Sequence, residues 1–316
     1  MRVIFLGTGG SLPTPQRNVS AIAVQMGPGI LLFDCGEGTQ RQFMLSSASF
    51  MKVTNVFITH LHGDHFLGLP AMIQSMSFSG RTKPLYVHGP EGMEKAVRSM
   101  LELGYFTPGF HVLTRELEEE DEVEFPGFRV VAVRADHTVP AFAFVLQEDP
   151  RPGKFNPERA RTLGVPEGPL FSKLQGGEAV VVGGKTVYPD MVLGPKRRGR
   201  KLLISGDTRP SQDIIEAGKG ADLMVHEATL HSSLSQEASA YGHSTAAEAA
   251  EVARKAGVRL LCLYHFSNRY EDAKVLLDEA RSIFPSTILA EDLASLQVNP
   301  PEDEWNQEAG NRFPAP

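Results

Sequence analysis

Asn55-Val56-Phe57-Ile58-Thr59-His60-Leu61-His62-Gly63-Asp64-His65 sets an apolar, β-branched run directly before three histidines, a glycine and an aspartate. Residues 55–59 read as a strand, bounded by the polar turn that follows. In extended backbone, side chains two apart point the same way, so His60 and His62 can reach one cation. Gly63 then allows a turn that sends Asp64 and His65 toward a second. A lone His-X-His is commonly a solvated loop, whereas this denser pattern at a strand end reads as a metal site. Imidazole and carboxylate without thiolate suit a catalytic zinc site that keeps water in its shell, and manganese is compatible with the same donors. Four side chains cannot complete two such shells, so ligands must also come from elsewhere in the chain.

Working outward, short apolar runs cut by Gly-, Pro- or Asp-rich turns recur at 2–6, 21–25, 30–34, 84–88, 128–132, 201–205, 223–226 and 260–265. Helical patterning fills 70–79, 92–104, 244–256 and 270–283. Their order predicts an α/β chain, an αββα sandwich of two sheets with helices outside.

The composition, 41% hydrophobic and 22% charged over 316 residues, matches globular usage, with length for one large domain or two ordinary ones. No apolar run approaches the roughly eighteen residues of a membrane span, so no membrane partner is expected. The opening Met1-Arg2-Val3-Ile4-Phe5-Leu6-Gly7 reads as a strand rather than a signal peptide, and a cytoplasmic protein is expected. Cys35 and Cys262 lie far apart in apolar sequence and read as buried thiols. A net charge of −7 argues against indiscriminate coating of nucleic acid.

That charge is unevenly spread. Residues 151–201 hold 11 Lys/Arg against 4 Asp/Glu, a local +7 that leaves −14 for the remainder. The same stretch holds 9 Gly and 6 Pro, too long and too broken for an ordinary loop. It reads as an inserted arm within a catalytic domain spanning 1–299, and the polar, Pro-rich residues 300–316 read as a disordered tail. Lys196-Arg197-Arg198-Gly199-Arg200-Lys201 places five cations in six residues, a surface suited to RNA phosphates.

Further motifs follow in order: Gly7-Thr8-Gly9, Asp34-Cys35-Gly36-Glu37-Gly38-Thr39-Gln40, Asp136-His137, Gly206-Asp207-Thr208, His226-Glu227-Ala228-Thr229, Gly242-His243-Ser244-Thr245 and His265-Phe266-Ser267. With the His60–His65 segment, this ordered set resembles the metallo-β-lactamase superfamily. Within it, the set is similar to the ribonuclease Z family of short-form tRNA 3′-processing endonucleases. The resemblance covers nearly the whole chain and implies a metallo-β-lactamase sandwich with an inserted flexible arm.

Carried over position by position, the resemblance implies two zinc ions per subunit and no organic cofactor. His60, His62 and His137 would hold one zinc, Asp64, His65 and His265 the other, and Asp207 would bridge both. Asp34 would lie behind the ligands and orient them. Glu227 would hold His243 against the scissile phosphate as proton donor or charge stabiliser, because a carboxylate partner raises an imidazole's pKa. Asp64 would also orient the attacking water. His226 reads as structural, and His88, His111 and His231 as strand-end, loop or surface residues without motif support.

The implied activity is removal of the 3′ trailer from precursor tRNA by a metal-bound hydroxide, leaving a 3′-hydroxyl. The implied arm grips the tRNA elbow across a homodimer, with Arg151, Lys154, Lys196, Arg197, Arg198, Arg200 and Lys201 on RNA. Arg17 and Asn18 belong to a loop, Pro13-Thr14-Pro15-Gln16-Arg17-Asn18, that matches a family loop sensing the tRNA 3′ end. Pro15 stands where the family has Lys or Arg, which leaves the response to an encoded CCA open. Two other readings compete: a small-substrate phosphodiesterase, lactonase or arylsulfatase on the same scaffold, and an RNA-binding protein with a structural metal. The first has no use for a basic arm, and the second predicts missing ligands.

Overall fold

A computed structural model describes residues 1–300, and the expected tail at 300–316 lies, beyond Pro300, outside the described residues. The chain divides into two compact units, one of Met1–Gln147 with Arg200–Asn299, the other of Glu148–Gly199.

The first unit holds two seven-stranded sheets. Strands β1 (Arg2–Gly7), β2 (Ala21–Met26), β3 (Gly29–Phe33), β4 (Val53–Phe57), β5 (Leu85–Gly89) and β6 (Val112–Glu116) lie in sequence order in one sheet. Its β3, β4, β5 and β6 run parallel, with Phe33, Phe57 and His88 in register across β3, β4 and β5. The other sheet takes β7 (Glu122–Phe125), β8 (Phe128–Arg134) and β9 (Phe142–Glu148). In the second unit, β10 (Val180–Val182) pairs with β11 (Lys185–Val187). The chain then returns to the other sheet as β12 (Lys201–Ile204), β13 (Leu223–Glu227), β14 (Leu261–Tyr264) and β15 (Thr287–Leu289), all parallel. Ser295–Gln297 (β16) pairs antiparallel with β1 at the edge of the first sheet.

Alternation along these strands builds the layers. Val3, Phe5, Leu31, Phe33 and Phe57 pack against Phe144, Leu202, Ile204, Val225, Cys262 and Tyr264 in one core between the sheets. Their neighbours Ile4, Leu6, Ile30, Leu32, Val56 and Ile58 face outward onto the helices Leu69–Phe78 and Met93–Leu101. Likewise Leu203, Met224, Leu261 and Leu263 face Gln212–Gly218, Ala246–Ala256 and Lys274–Ile283. Period-two side chains with both faces covered explain why the strands read as nearly continuous apolar runs. The helix Ala246–Ala256 buries Ala246, Ala249, Ala250, Ala253 and Ala256, a small-residue stripe at helical spacing that lets it sit close on the sheet.

Local chemistry moves some boundaries. The helix predicted from 244 begins at Ala246, with Thr245 as its N-cap in a capping box with Glu248, while Ser244 Oγ donates to the Thr208 carbonyl at 2.7 Å. The helix predicted from 270 begins at Lys274, whose N–H is met by Asp272 Oδ1 at 2.8 Å. Strands β6, β7, β15 and β16 are short or half-polar, and neighbouring strands rather than local pattern hold them extended.

The Glu148–Gly199 unit is more ordered than its Gly- and Pro-rich sequence predicts. Its ends run antiparallel, with Arg151 and Arg197 exchanging backbone hydrogen bonds of 2.8 and 2.9 Å. Beyond this stem, the helices Pro157–Thr162 and Pro169–Gln175 and the β10–β11 hairpin enclose a small core of Ala160, Val165, Leu174, Val180, Val187 and Val192.

Candidate metal centre

Every residue of the expected cluster lies just beyond the carboxyl end of a strand: Asp34 after β3, His60 to His65 after β4, and His137 after β8. Asp207 follows β12, and His265 follows β14. Parallel strands in register bring these ends to one edge of each sheet, a rigid base for a preorganised site. His62 is extended and stands at the N-cap position of the helical turn Gly63–Phe66, which carries Asp64 and His65.

Four overlapping groups of possible ligands form among the described residues, including His60–His65–Asp207 and Asp207–His243–His265. Ring nitrogens of His60, His62 and His137 lie within 4.8 Å of one another, and so do donor atoms of Asp64, His65 and His265. His62 Nδ1 is 3.1 Å from His60 Nε2 and 3.2 Å from His137 Nε2. Asp207 stands between the groups, with Oδ2 3.6 Å from His60 Nε2 and 3.3 Å from His65 Nε2, and Oδ1 3.3 Å from His265 Nε2.

The surrounding hydrogen bonds decide which ring nitrogens are free to bind a cation. His65 Nδ1 donates to Asp34 Oδ2 at 2.8 Å, and His137 Nδ1 to the Gly242 carbonyl at 2.8 Å. The Thr59 hydroxyl donates to Asp34 Oδ2 and so accepts from His60 Nδ1, 3.0 Å away. The Thr229 hydroxyl donates to Glu227 Oε2 at 2.7 Å and accepts from His265 Nδ1 at 2.9 Å. In all four rings the Nδ1 proton points outward, leaving the Nε2 lone pair directed inward. Thr59, Thr229 and the Gly242 carbonyl were not predicted to act here; all three lie within the quoted segments, but nothing in sequence reveals their orienting bonds.

Backbone geometry adds to the precision. Asp34 and His265 adopt left-handed φ of 57° and 60°, as does Ser11 at 61°, whose N–H donates to Asp64 Oδ2 at 2.7 Å. Three of the five such non-glycine residues among the described residues thus touch the cluster, where surrounding structure must hold the strain. Glycines admit the rings: a Cβ on Gly10 would meet the His265 ring at 2.5 Å, and one on Gly242 would meet His137 Nδ1 at 2.6 Å.

The donor set fits a cation. Asp207 is buried, and its Oδ1 accepts no hydrogen bond, although His265 Nε2 lies 3.3 Å away. Burial works to lower the His65 imidazole, yet Asp207 and Asp34 hold it well above the usual value. The carboxylates therefore call for positive charge at the centre of the cluster, which a metal ion supplies.

Beside the ligands lies a proton-handling pair. Glu227, fully buried at the end of β13, accepts from Thr208 N, Thr229 N and the Thr229 hydroxyl, and its Oε1 is 3.0 Å from His243 Nδ1. Burial works to raise the Glu227 carboxyl, but the His243 charge and hydrogen bond leave it below the usual range. Burial works to lower His243, while Glu227 and then Asp207 push it up to about 9, a value that adjacent cations would reduce. His243, His62 and Asp64 line a cleft of about 820 Å³.

A family model described as anti-Pycsar protein Apyc1 matches residues 1–149, less than half of the chain. Much longer matches decide the family. The chain is 47% identical over 300 residues to a ribonuclease Z from Archaeoglobus fulgidus, covering 94% of this chain and 97% of the relative. It is 45% identical over 299 residues to a ribonuclease Z from Methanosarcina acetivorans, covering 94% and 98%. The chain belongs to the ribonuclease Z family. The solved structure of human tRNase Z, short form, matches with a TM-score of 0.69 and 29% identity, covering 95% of this chain and all of that one. The metallo-β-lactamase fold protein YhfI from Bacillus subtilis matches with a TM-score of 0.68 at 18% identity, covering 93% and 98%, and shares the fold. The scaffold of this family member is accordingly the metallo-β-lactamase sandwich.

The remaining predicted residues fall elsewhere. Arg17 donates to the Tyr270 carbonyl at 2.8 Å and covers the Phe266 ring, and Asn18 donates to the Glu37 carbonyl at 2.8 Å. Arg200 donates to the Val298 carbonyl and Lys201 to the Lys219 carbonyl. Arg151, Lys154, Lys196, Arg197 and Arg198 belong to the Glu148–Gly199 unit. His226 and His88 are buried, the latter stacked on Phe57, while His231 pairs with Glu279 at 3.2 Å.

Replacing Asp34 with Asn removes the acceptor that fixes the His65 tautomer. Asp34→Asn is expected to weaken metal binding about 10- to 100-fold without loss of secondary structure, read by chelator competition and circular dichroism. Unchanged affinity would remove the orienting role.

Proposed function

We propose that this ribonuclease Z family member holds two zinc ions and removes the 3′ trailer of precursor tRNA, leaving a 3′-hydroxyl. The observation that carries this reading is the buried Glu227–His243 pair opening onto the same cleft as the ligand cluster. His60, His62 and His137 would hold one zinc ion and Asp64, His65 and His265 the other, with Asp207 shared between the two groups and Asp34 behind His65. Cations bound there supply Lewis acidity that activates water near neutral pH and offsets phosphate charge, and manganese could serve in place of zinc.

The chain's own residues manage the protons. Asp64, held by the Ser11 N–H, orients the attacking water and takes its proton. Water oxygen joins phosphorus as the bond to the 3′ oxygen breaks. Glu227 engages His243 Nδ1, so the proton for the departing 3′ oxygen comes from His243 Nε2. Four acceptor contacts at the Glu227 carboxylate keep it ionised and its partner aligned.

The Glu148–Gly199 unit is the substrate-gripping arm, with Arg151, Lys154, Lys196, Arg197 and Arg198 toward RNA phosphates. Arg200 and Lys201 extend the basic run, and the Arg17–Asn18 loop bounds the path of the 3′ end. Each arm serves the partner's site in a homodimer. Precursor tRNA as substrate points to the cytoplasm; among the described residues, no helix is long and apolar enough to cross a membrane.

The direct test is incubation with precursor tRNAs carrying or lacking an encoded CCA, mapping product 3′ ends. Cleavage at the trailer junction is expected, and absence of cleavage would overturn the reading. His243→Ala is expected to retain both metals by elemental analysis while slowing cleavage about 100- to 10,000-fold. Loss of a metal would instead make His243 a ligand, a role its distance from Asp207 and His265 allows. Since Arg151 and Arg197 are hydrogen-bonded neighbours, residues 152–196 can be replaced by a short linker. That deletion is expected to abolish precursor-tRNA cleavage but spare bis-p-nitrophenyl phosphate hydrolysis; equal loss of both would count against a gripping arm.

A further inference from the structure

The cleavage chemistry leaves one feature of the cleft unused. Tyr241 is 63% exposed and lines the same cleft as His62, Asp64 and His243. It is the last residue of the helix Ser235–Tyr241, which Gly242 terminates at a left-handed φ of 80°. The next backbone groups are pinned on both sides: the Gly242 carbonyl accepts from His137, and His243 N donates to the Ala238 carbonyl at 2.8 Å. The aromatic ring therefore stands two residues from the proton donor, on backbone with little freedom to move.

Arg269 lines the same cleft. Two guanidinium nitrogens face the two Glu237 oxygens at 2.8 and 3.5 Å, and a third is 3.2 Å from Ser267 Oγ. With its charge partly answered by Glu237, Arg269 offers a fixed plane more than a free cation. Exposed aromatic faces and guanidinium planes are the surfaces on which single-stranded RNA bases stack.

We propose that Tyr241, walled by Arg269, is the stacking platform for the base of the nucleotide on the 5′ side of the scissile phosphate. The side follows from the chemistry: His243 serves the departing 3′ oxygen, which belongs to that nucleotide, and Tyr241 shares the backbone turn of His243. The platform rests on the precursor-tRNA reading. Because every base has a π-face, it tolerates base identity but not the absence of a base.

The test is a cycle of two proteins and two substrates, with Tyr241→Phe as control. Wild type and Tyr241→Ala are assayed on precursor tRNA with either a normal or an abasic nucleotide 5′ to the cleaved bond. On normal substrate, Tyr241→Ala is expected to raise KM about 5- to 150-fold, and Tyr241→Phe to stay near wild type. The abasic nucleotide is expected to raise the wild-type KM by a similar factor and to add nothing in Tyr241→Ala. Unchanged KM in Tyr241→Ala, a loss confined to kcat, or multiplying penalties would each overturn the platform. Wild-type protein that leaves precursor tRNA uncut overturns the RNA reading and the platform together, whereas cleavage with an insensitive Tyr241 overturns the platform alone.

Discussion

Asp207 is buried with one oxygen that accepts no hydrogen bond, beside His60, His65 and His265, whose Nδ1 atoms bond to groups on their far sides. A buried polar group left unmet costs on the order of 1–3 kcal/mol, and inward lone pairs on several rings multiply that penalty. The arrangement persists because the sandwich around it leaves the strand ends nowhere else to go. A cation that joins these donors adds its binding free energy to folding stability, so metal occupancy and stability are linked.

That constraint explains the layout of the catalytic unit. Phe33, Phe57 and Phe144 interlock between the sheets, with ring centroids 5.2 to 5.8 Å apart, and hold the strands in register beneath the cluster. Beyond the last core residue of each strand, the chain turns into polar sequence at a common edge. The strained φ values at Asp34 and His265 occur there, where core packing on one side and hydrogen bonds on the other over-determine the backbone.

A cluster of imidazoles and carboxylates alone marks a metal-binding site open to many substrates. The site is distinguished further at Glu227 and His243, where a carboxylate shielded from water holds an imidazole at the cleft. The Glu148–Gly199 unit has a small apolar core of its own, which gives its cations a folded base instead of a loose chain. Thr229 ties these parts together, with one hydroxyl contacting both Glu227 and His265.

Much of this was legible in the linear chain. Strands such as β1 and β14 are apolar at nearly every position because both sheet faces are covered, and His60 to His65 is a local constellation whose spacing already sorts His60 and His62 from Asp64 and His65. The same sequence marked 151–201 as basic and broken by Gly and Pro, but its hairpin and core depend on contacts between residues far apart, such as Leu174 with Val187. The tautomers were equally hidden, because Thr59, Thr229 and the Gly242 carbonyl act through partners up to 105 residues away. What the sequence determined by itself was the inventory of histidines and carboxylates at the strand ends and the strands that carry them, since both follow from local composition and period. Only the tertiary structure decided which nitrogen of each ring faces the interior of the cluster and which side chains wall the cleft, because direction in space is set by packing between segments that the sequence keeps apart.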